Sequence, residues 1–303
     1  MEAVKRVEQT EEAYGRLAAR LLGASERALG QSWRVDPKAA IDFHGARRGE
    51  LARPTWRQYR AALAWFFEDQ GSFELRAYVR SLDQSPCLRR ANRTSAQKSK
   101  HLPLPKLIRL TEVVAIGRGR YDRAIGLWLL SNYYVGLRPE EWWSTEWVGP
   151  RKLRVRNAKA SQQRTFGSHR TLLLDEFMDE EMRVVHEFLA IVAQQDFCSF
   201  YHACRKRLLK LNRMLWPRAK RHITLYSGRH QFAADHKAAR VSRVELAALM
   251  GHASTLTAGR HYARPMHGRR RVRVHASPED VDRVLARNST QTPAPEFRPQ
   301  LPR

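Results

Sequence analysis

Acidic side chains are scarce in this chain of 303 residues: 30 Asp and Glu face 55 Lys and Arg, which leaves a formal net charge of +25. A balance so far from zero is typical of proteins that bind a polyanion, and nucleic acid is the first candidate. Residues 204–243 carry twelve basic residues and one acid, Asp235, and residues 80–109 carry eight and one acid, Asp83, whereas residues 1–50 are nearly balanced. Either basic run alone fits a solvated helix face equally well, but two separate runs favour a surface that follows a phosphate backbone.

Cysteine and long apolar runs are scarce too. Cys87, Cys198 and Cys204 are odd in number and show no zinc-ligand pairing, which argues against a disulfide framework and a structural metal site. The most apolar stretch, residues 124–137, contains polar side chains and falls short of the roughly 20 residues that span a bilayer. The N-terminus has no apolar segment of the kind found in secretory signals. We therefore expect a cytoplasmic, nucleoid-associated protein without membrane attachment, with its cysteines in the core.

Apolar residues recur at helical spacing through the N-terminal third of the chain. Residues 13–29 and 55–70 show this pattern most clearly, and Thr55 is the predicted N-cap of the second helix. Polar, basic and proline residues from about 93 to 105 then indicate an extended linker. The sequence predicts a helical N-terminal domain over residues 1–99.

A second domain, over residues 100–275, is predicted to combine helices with a few short strands. Residues 121–136 are apolar on nearly every side, as a buried helix is, and Gly136 can end that helix. Residues 153–157 and 170–175 are short β-like runs, which predict a hairpin or a small three-stranded sheet. The expected fold class is mainly α with a small antiparallel β-sheet, an α+β fold in two domains.

The C-terminal third has the clearest local signals. Ser242 followed by Glu245 is a capping-box pattern that begins a helix, and Gly251 is typical of the residue that ends one. His252 is therefore expected just beyond a helix end. Residues 276–303 predict a short helix followed by a disordered C-terminal tail.

The residue types limit the chemistry open to a DNA-binding protein. A metal-dependent nuclease needs clustered carboxylates, and the most basic stretch contains a single acid. A nicking enzyme that uses two histidines flanking one apolar residue is also excluded, since no two of the twelve histidines are two positions apart. What remains is metal-free phosphoryl transfer, in which a side chain is the nucleophile and arginines neutralise charge on the phosphate.

Two stretches resemble the tyrosine recombinases, the phage-integrase family. Residues 226–252, YSGRHQFAADHKAARVSRVELAALMGH, are similar to that family's catalytic segment, His-x-x-Arg-His, two helices and Gly-His, and Arg229 and His252 are 23 residues apart. Upstream, GLRPEEW at residues 136–142 resembles the family's first arginine box, Gly-Leu-Arg-x-x-Glu. Both stretches occur in the family's order, with a hairpin lysine between them. The resemblance by motif covers roughly residues 107–265.

The resemblance implies roles for the residues of the upstream half of the site. Arg138 and Arg229 would clamp the scissile phosphate, and Glu141 would support Arg138. Lys159 would be the hairpin lysine that protonates the departing 5′ oxygen. No cofactor and no metal ion would be required, because a covalent protein–DNA bond retains the energy for rejoining.

The same resemblance implies that Tyr262 attacks phosphorus and forms a 3′-phosphotyrosyl link, while His252 donates a hydrogen bond to a non-bridging oxygen. Two details depart from the family pattern. Tyr226 stands where the motif usually has histidine, and a phenol with an unperturbed pKa of about 10 is a poor general base. The interval from His252 to Tyr262 is one residue longer than usual, and Gly259 can absorb the extra residue.

The family also implies the partners. Its members pair four protomers on two specific sites in double-stranded DNA, and their N-terminal core-binding domain and catalytic domain close around the duplex. We therefore expect site-specific DNA recombination by a tetramer on DNA, with an accessory DNA-bending or directionality protein as a further candidate partner.

Simpler interpretations of the same residues remain open. Arg138 and Arg229 could be buried structural cations at helix ends, and His252 an ordinary helix-terminal histidine. Lys159 could be a solvated loop lysine, and either tyrosine could serve packing alone. Among functions, type IB topoisomerases also use two arginines, a lysine and a tyrosine. A recombinase-derived DNA-binding protein that has lost catalysis would keep the same motifs.

Overall fold

The chain divides into two compact units, Met1–Ser95 and Ala96–Arg303. The computed structural model describes residues 8–85, 87, 97–158, 167–252, 255, 262, 264–270 and 272–289.

The first unit is helical where it is described, with α1 (Glu8–Leu29), α2 (Pro37–Ala46), α3 (Arg53–Asp69) and α4 (Phe73–Ser81). Apolar residues spaced by one helical turn bring these helices together around one core, which includes Leu21, Ile41, Leu63 and Phe67. The predicted N-cap at Thr55 is wrong. Helix α3 begins at Arg53, with Ala52 at its N-cap, because a proline in the first turn lacks only an N–H that would have no partner there.

The second unit contains the described helices α5 (Leu104–Ile116), α6 (Asp122–Val135), α7 (Asp179–Val192), α8 (Phe197–Leu215), α9 (Ser227–Ala238), α10 (Arg243–Met250) and α11 (Pro278–Ser289). Helix α6 is buried along most of its length, as its sequence predicts, and its Trp128 packs against Phe188 and Phe200. Gly136 ends α6 in the left-handed conformation, with φ of 70°. A Cβ at Gly136 would lie 2.5 Å from the ring of Phe232, so glycine is required for α9 to pack this closely.

Four strands form an antiparallel sheet in the order β2 (Thr145–Gly149), β3 (Lys152–Arg156), β4 (His169–Leu173) and β6 (His275–Ala276). A separate parallel pair joins β1 (Gln97–Lys98) to β5 (Arg221–His222). The mainly α fold with a small antiparallel sheet is thus confirmed. The three-stranded prediction missed a strand, because β6 comes from far along the chain and two residues have no pattern of their own.

Observed elements occupy part of the predicted linker and include the predicted boundary at residue 275. Within the predicted linker, residues 93–105, strand β1 pairs with β5 and helix α5 begins at Leu104. The boundary at residue 275 lies inside β6, and α11 packs against α10. The Thr171 N–H also donates to Asp280 Oδ2 at 2.7 Å, so α11 belongs to the second unit. The predicted tail, residues 290–303, lies outside the described residues.

Helix α10 has the ends that its sequence predicts. The Ser242 hydroxyl accepts a hydrogen bond from the Glu245 N–H at 3.0 Å, and Gly251 adopts φ of 57°. The Glu245 carboxylate is engaged by His275 Nδ1 at 3.0 Å. The turn after α10 therefore has a defined geometry, and His252 follows it directly.

The cysteines differ in environment. Cys204 is buried, as expected, and burial raises the pKa of its thiol to about 12. Cys198 is exposed, which contradicts the expectation of a core position, because it lies in the first turn of α8 on the solvent side. No helix in the described ranges is long and apolar enough to cross a membrane.

Candidate active site

The two arginines of the predicted phosphate clamp come from different elements of the second unit. Arg138 precedes a 3-10 helix, Pro139–Ser144, and its side chain is 10% exposed. Arg229 lies in the first turn of α9 and is fully buried. Its Nη1 donates to the Gly136 carbonyl and its Nη2 to the Met250 carbonyl, both at 2.6 Å. Arg229 thus offsets the partial negative charge of carbonyl groups at the C-terminal ends of α6 and α10 and holds these ends side by side.

Glu141 joins the arginines into one cluster. It is fully buried, and its carboxylate accepts from the Arg138 N–H at 2.8 Å and lies 3.5 Å from Arg229 Nη1. A third arginine, Arg170, donates to it at 2.7 Å from Nη2. Burial acts to raise the pKa of Glu141, but Arg170, Arg229 and Arg138 outweigh it and hold that pKa well below its usual range. One carboxylate among three guanidinium groups leaves two positive charges unbalanced within these four side chains.

His252 follows the Gly251 turn and is 2% exposed. Its Nε2 lies 3.2 Å from the Tyr262 hydroxyl and 3.4 Å from Arg229 Nη2. Burial, together with Arg229, Arg138 and the third arginine, puts the pKa of His252 well below its usual value, so the imidazole is neutral. Because a guanidinium can only donate, Nε2 presents its lone pair to both neighbours.

Tyr262 lies inside this cluster and is 9% exposed. Its hydroxyl is 3.1 Å from Arg229 Nε, 3.2 Å from His252 Nε2 and 2.9 Å from the Tyr226 hydroxyl. One arrangement satisfies all three contacts. Tyr262 donates to His252, while it accepts from Arg229 and from Tyr226.

The two tyrosine hydroxyls differ in acidity. Burial raises the pKa of Tyr226 to about 12, and the neighbouring Tyr262 adds to the rise. For Tyr262, burial acts in the same direction, but Arg229 and the hydrogen bonds from Tyr226 and Arg229 outweigh it, so its pKa is lowered. Of the two phenols, Tyr262 therefore loses its proton first, and Tyr226 remains the donor.

A histidine ring, His230, packs beside the tyrosine pair. The His230 ring lies 5.1 Å from the rings of both Tyr226 and Tyr262. Burial lowers the pKa of His230 to about 4, and Arg229, Lys100, Lys237 and Lys98 contribute to the shift. Lys98 and Lys100 are exposed. The ring beside the two tyrosines is thus in a positively charged environment.

The structure brings together five of the predicted site residues and the supporting glutamate: Arg138, Glu141, Tyr226, Arg229, His252 and Tyr262. Lys159 lies outside the described residues. Within the described part of the chain, no group of three or more histidine, cysteine or acidic side chains is arranged to hold a metal ion.

Sequence reasoning missed Arg170, which is 2% exposed. Burial alternates along β4, so that Arg170 and Leu172 both face the core. The signal that could have identified Arg170 is an arginine two residues from a buried leucine on the same strand. Such an arginine faces the core, and a charged group is buried only where it has hydrogen-bond or ion-pair partners.

No protein-family model matches the chain, and no curated protein matches it by sequence. A solved crystal structure of XerA recombinase is similar at 15% sequence identity over 84% of this chain and 86% of the XerA chain, with a TM-score of 0.38.

Proposed function

We propose that this protein is a tyrosine recombinase, which cuts and rejoins double-stranded DNA at specific sites without a metal ion. The observation that carries the proposal is the position of the Tyr262 hydroxyl, which contacts both Arg229 Nε and His252 Nε2 inside a buried cluster with excess positive charge. A cluster of this kind favours an anion and an ionised nucleophile side by side.

In the proposed reaction, the Tyr262 oxygen attacks phosphorus while its proton passes to His252 Nε2. The bond from phosphorus to the 5′ oxygen breaks, and Lys159 supplies the proton that the 5′ oxygen takes up. Arg138 and Arg229 stabilise the charge that develops on the non-bridging oxygens, to which the protonated His252 also donates. Attack by a 5′ hydroxyl on the phosphotyrosine reverses the sequence and restores a DNA strand.

The contacts of Arg229 indicate where a phosphate oxygen of DNA would bind in the proposed complex. Each Nη atom of Arg229 donates one N–H to a backbone carbonyl, which fixes the guanidinium, and its Nε donates to the Tyr262 hydroxyl. In the proposed complex, a phosphate oxygen shares or replaces this Nε contact. On this proposal the nucleophile and the phosphate oxygen meet at the same donor, which sets the attacking atom next to the phosphate.

The test is a denaturing gel of the protein after incubation with nicked duplex that carries its site. We expect a covalent protein–DNA adduct from the wild type and none from Tyr262→Phe, which removes only the attacking oxygen. Tyr201→Phe is the matched control, since its ring packs on Phe197 and no hydrogen bond of its hydroxyl is seen in the described residues; the adduct should persist. An adduct from Tyr262→Phe would refute the nucleophile.

The same preparations distinguish the remaining candidates. Strand exchange between two sites identifies a recombinase, whereas relaxation of supercoils without exchange identifies a topoisomerase of type IB. Binding to DNA with no adduct from any preparation would indicate a DNA-binding protein derived from a recombinase. The proposal extends to a tetramer on two sites, which the mass of the protein–DNA complex tests.

A further inference from the structure

Arg170 makes four hydrogen bonds inside the cluster, although none of them is to the tyrosine hydroxyl. Its Nη2 and Nη1 donate to the two carboxylate oxygens of Glu141 at 2.7 and 3.3 Å, its Nε donates to the Leu249 carbonyl at 2.9 Å, and its Nη1 also donates to Asn157 Oδ1. We propose that Arg170 is a positioning residue, which aligns the arginine pair and the histidine turn for strand cleavage. This inference rests on the proposed function above.

The first step of the argument concerns Glu141. A carboxylate has room for about four hydrogen bonds. Arg170 donates one hydrogen bond to each oxygen of Glu141. The single negative charge of Glu141 is thus shared among three arginines, and it holds Arg138 in place without neutralising both Arg138 and Arg229. Without the charge of Arg170, the negative charge of Glu141 would act on Arg138 and Arg229 only. The excess positive charge of the cluster, which attracts the phosphate in the proposed reaction, would then be smaller.

The second step concerns the turn that carries His252. The bond from Arg170 Nε to the Leu249 carbonyl holds the last turn of α10 against strand β4. A Cβ on Gly251 would lie 2.8 Å from Arg170 Nη1, so guanidinium and turn are in close contact. Arg170 thereby fixes where the imidazole meets the Tyr262 hydroxyl.

The third step concerns the strands themselves. Asn157, which accepts from Arg170, also donates from Nδ2 to the Gly167 carbonyl at 3.1 Å, and its N–H donates to the Ser168 carbonyl at 2.7 Å. The same guanidinium therefore joins the end of the β3–β4 ladder, next to the Arg156–His169 pair, to Glu141 and to α10. Only a planar group with five N–H donors can serve all these acceptors at once, whereas a lysine supplies the charge from a single nitrogen.

The first measurement is the single-turnover rate of adduct formation together with the dissociation constant for site DNA. We expect Arg170→Lys to slow adduct formation by about 10- to 100-fold, because the charge remains but the alignment is lost, while DNA affinity changes less than about threefold. Asn157→Ala removes one of the four acceptors and should give a smaller loss. The matched control is Arg154→Lys on β3, where the arginine is half exposed and pairs with Glu146 across the sheet; it should leave both quantities unchanged.

The second measurement does not depend on cleavage. Inorganic sulfate should raise the melting temperature of the wild type and of Arg154→Lys, since an anion bound to the cluster stabilises the folded state. Arg170→Lys and Asn157→Ala should lose part of this gain, whatever their melting temperature without sulfate. A merely structural arginine would lower the melting temperature but leave the gain intact.

The outcomes separate the two proposals. A wild type that forms no adduct refutes the proposed function, while the sulfate gain still tests the alignment by Arg170. A wild type that forms the adduct, with Arg170→Lys and Asn157→Ala equal to it in rate and in sulfate gain, overturns the inference about Arg170. Should Arg170→Lys fail to fold, Asn157→Ala decides by the same two readouts.

Discussion

At the scale of single residues, the chemistry depends on how three neighbours share protons. Tyr262 has a lone pair toward Arg229, a donor in Tyr226 and an acceptor in His252. Arg229 and Tyr226 lower the pKa of the phenol through charge and hydrogen bonds, whereas burial alone would raise it. Tyrosine at position 226, where the recombinase motif that the sequence resembles has histidine, acts in this geometry as a donor to the Tyr262 hydroxyl.

Tyr226→Phe tests that reading. The hydrogen bond from Tyr226 lowers the pKa of Tyr262, so its loss should raise that pKa and move the pH at which adduct formation reaches its plateau to higher values. Near neutral pH the rate should fall about tenfold, the effect of one hydrogen bond of about 1.4 kcal/mol. The measurement is the rate of adduct formation from pH 6 to 10, with Tyr201→Phe as control. An unchanged pH profile would show that Tyr226 only packs.

Much of this cluster was accessible from the sequence because motif spacing encodes it. Arg138 and Arg229 were found from short patterns, and both contact the Glu141 carboxylate in the structure. Arg170 was missed, since its partners Asn157 and Leu249 are distant in the chain and no local pattern announces a hydrogen bond between them.

At the scale of elements, the turn after α10 determines the position of His252 in the cluster. Gly251 adopts φ of 57°, and a Cβ there would lie 2.6 Å from Asn157 Oδ1 and 2.8 Å from Arg170 Nη1. The glycine is thus required both by its backbone conformation and by its contacts. Helix α10, its C-terminal turn and strand β4 form one packed layer, and His252 is placed by that layer.

Gly251→Ala should therefore lower the free energy of unfolding. An L-residue in the left-handed conformation costs about 1–2 kcal/mol, and the contacts with Asn157 and Arg170 add to this. Gly30→Ala is the matched control, because Gly30 has φ of 70° but nothing within 4 Å of the added Cβ; it should show the conformational cost alone. Urea denaturation followed by tryptophan fluorescence measures both. Equal losses in free energy of unfolding would contradict close packing at the turn.

At the scale of the whole molecule, the net charge of +25 sets the strength and the salt dependence of binding to a polyanion. The excess is concentrated in residues 80–109 and 204–243, and exposed Lys98 and Lys100 of the first run lie close enough to His230 to affect its pKa. These two lysines therefore act on the histidine ring that packs beside Tyr226 and Tyr262. That both units contact DNA stays a prediction.

Lys100→Gln should weaken DNA binding and make its salt dependence shallower. Each phosphate contact contributes about 0.9 to the slope of log K against log salt concentration, so the loss of one contact should reduce the slope by about that amount. Lys38→Gln removes an exposed lysine from the nearly balanced first fifty residues and should change the slope less. Fluorescence anisotropy at several salt concentrations measures both slopes. Identical slopes for both variants would refute a phosphate contact at Lys100.

The sequence by itself determined what depends on neighbours along the chain: the buried helix α6 that ends at Gly136, the capped helix α10, and the intervals between the arginines, the histidine and the tyrosine. Only the tertiary structure decided which charges meet. The enclosure of Glu141 by three arginines, the neutral state of His252 and the greater acidity of Tyr262 than of Tyr226 all follow from burial and from distances through space. Coulomb and desolvation energies depend on those distances, and separation along the chain does not define them.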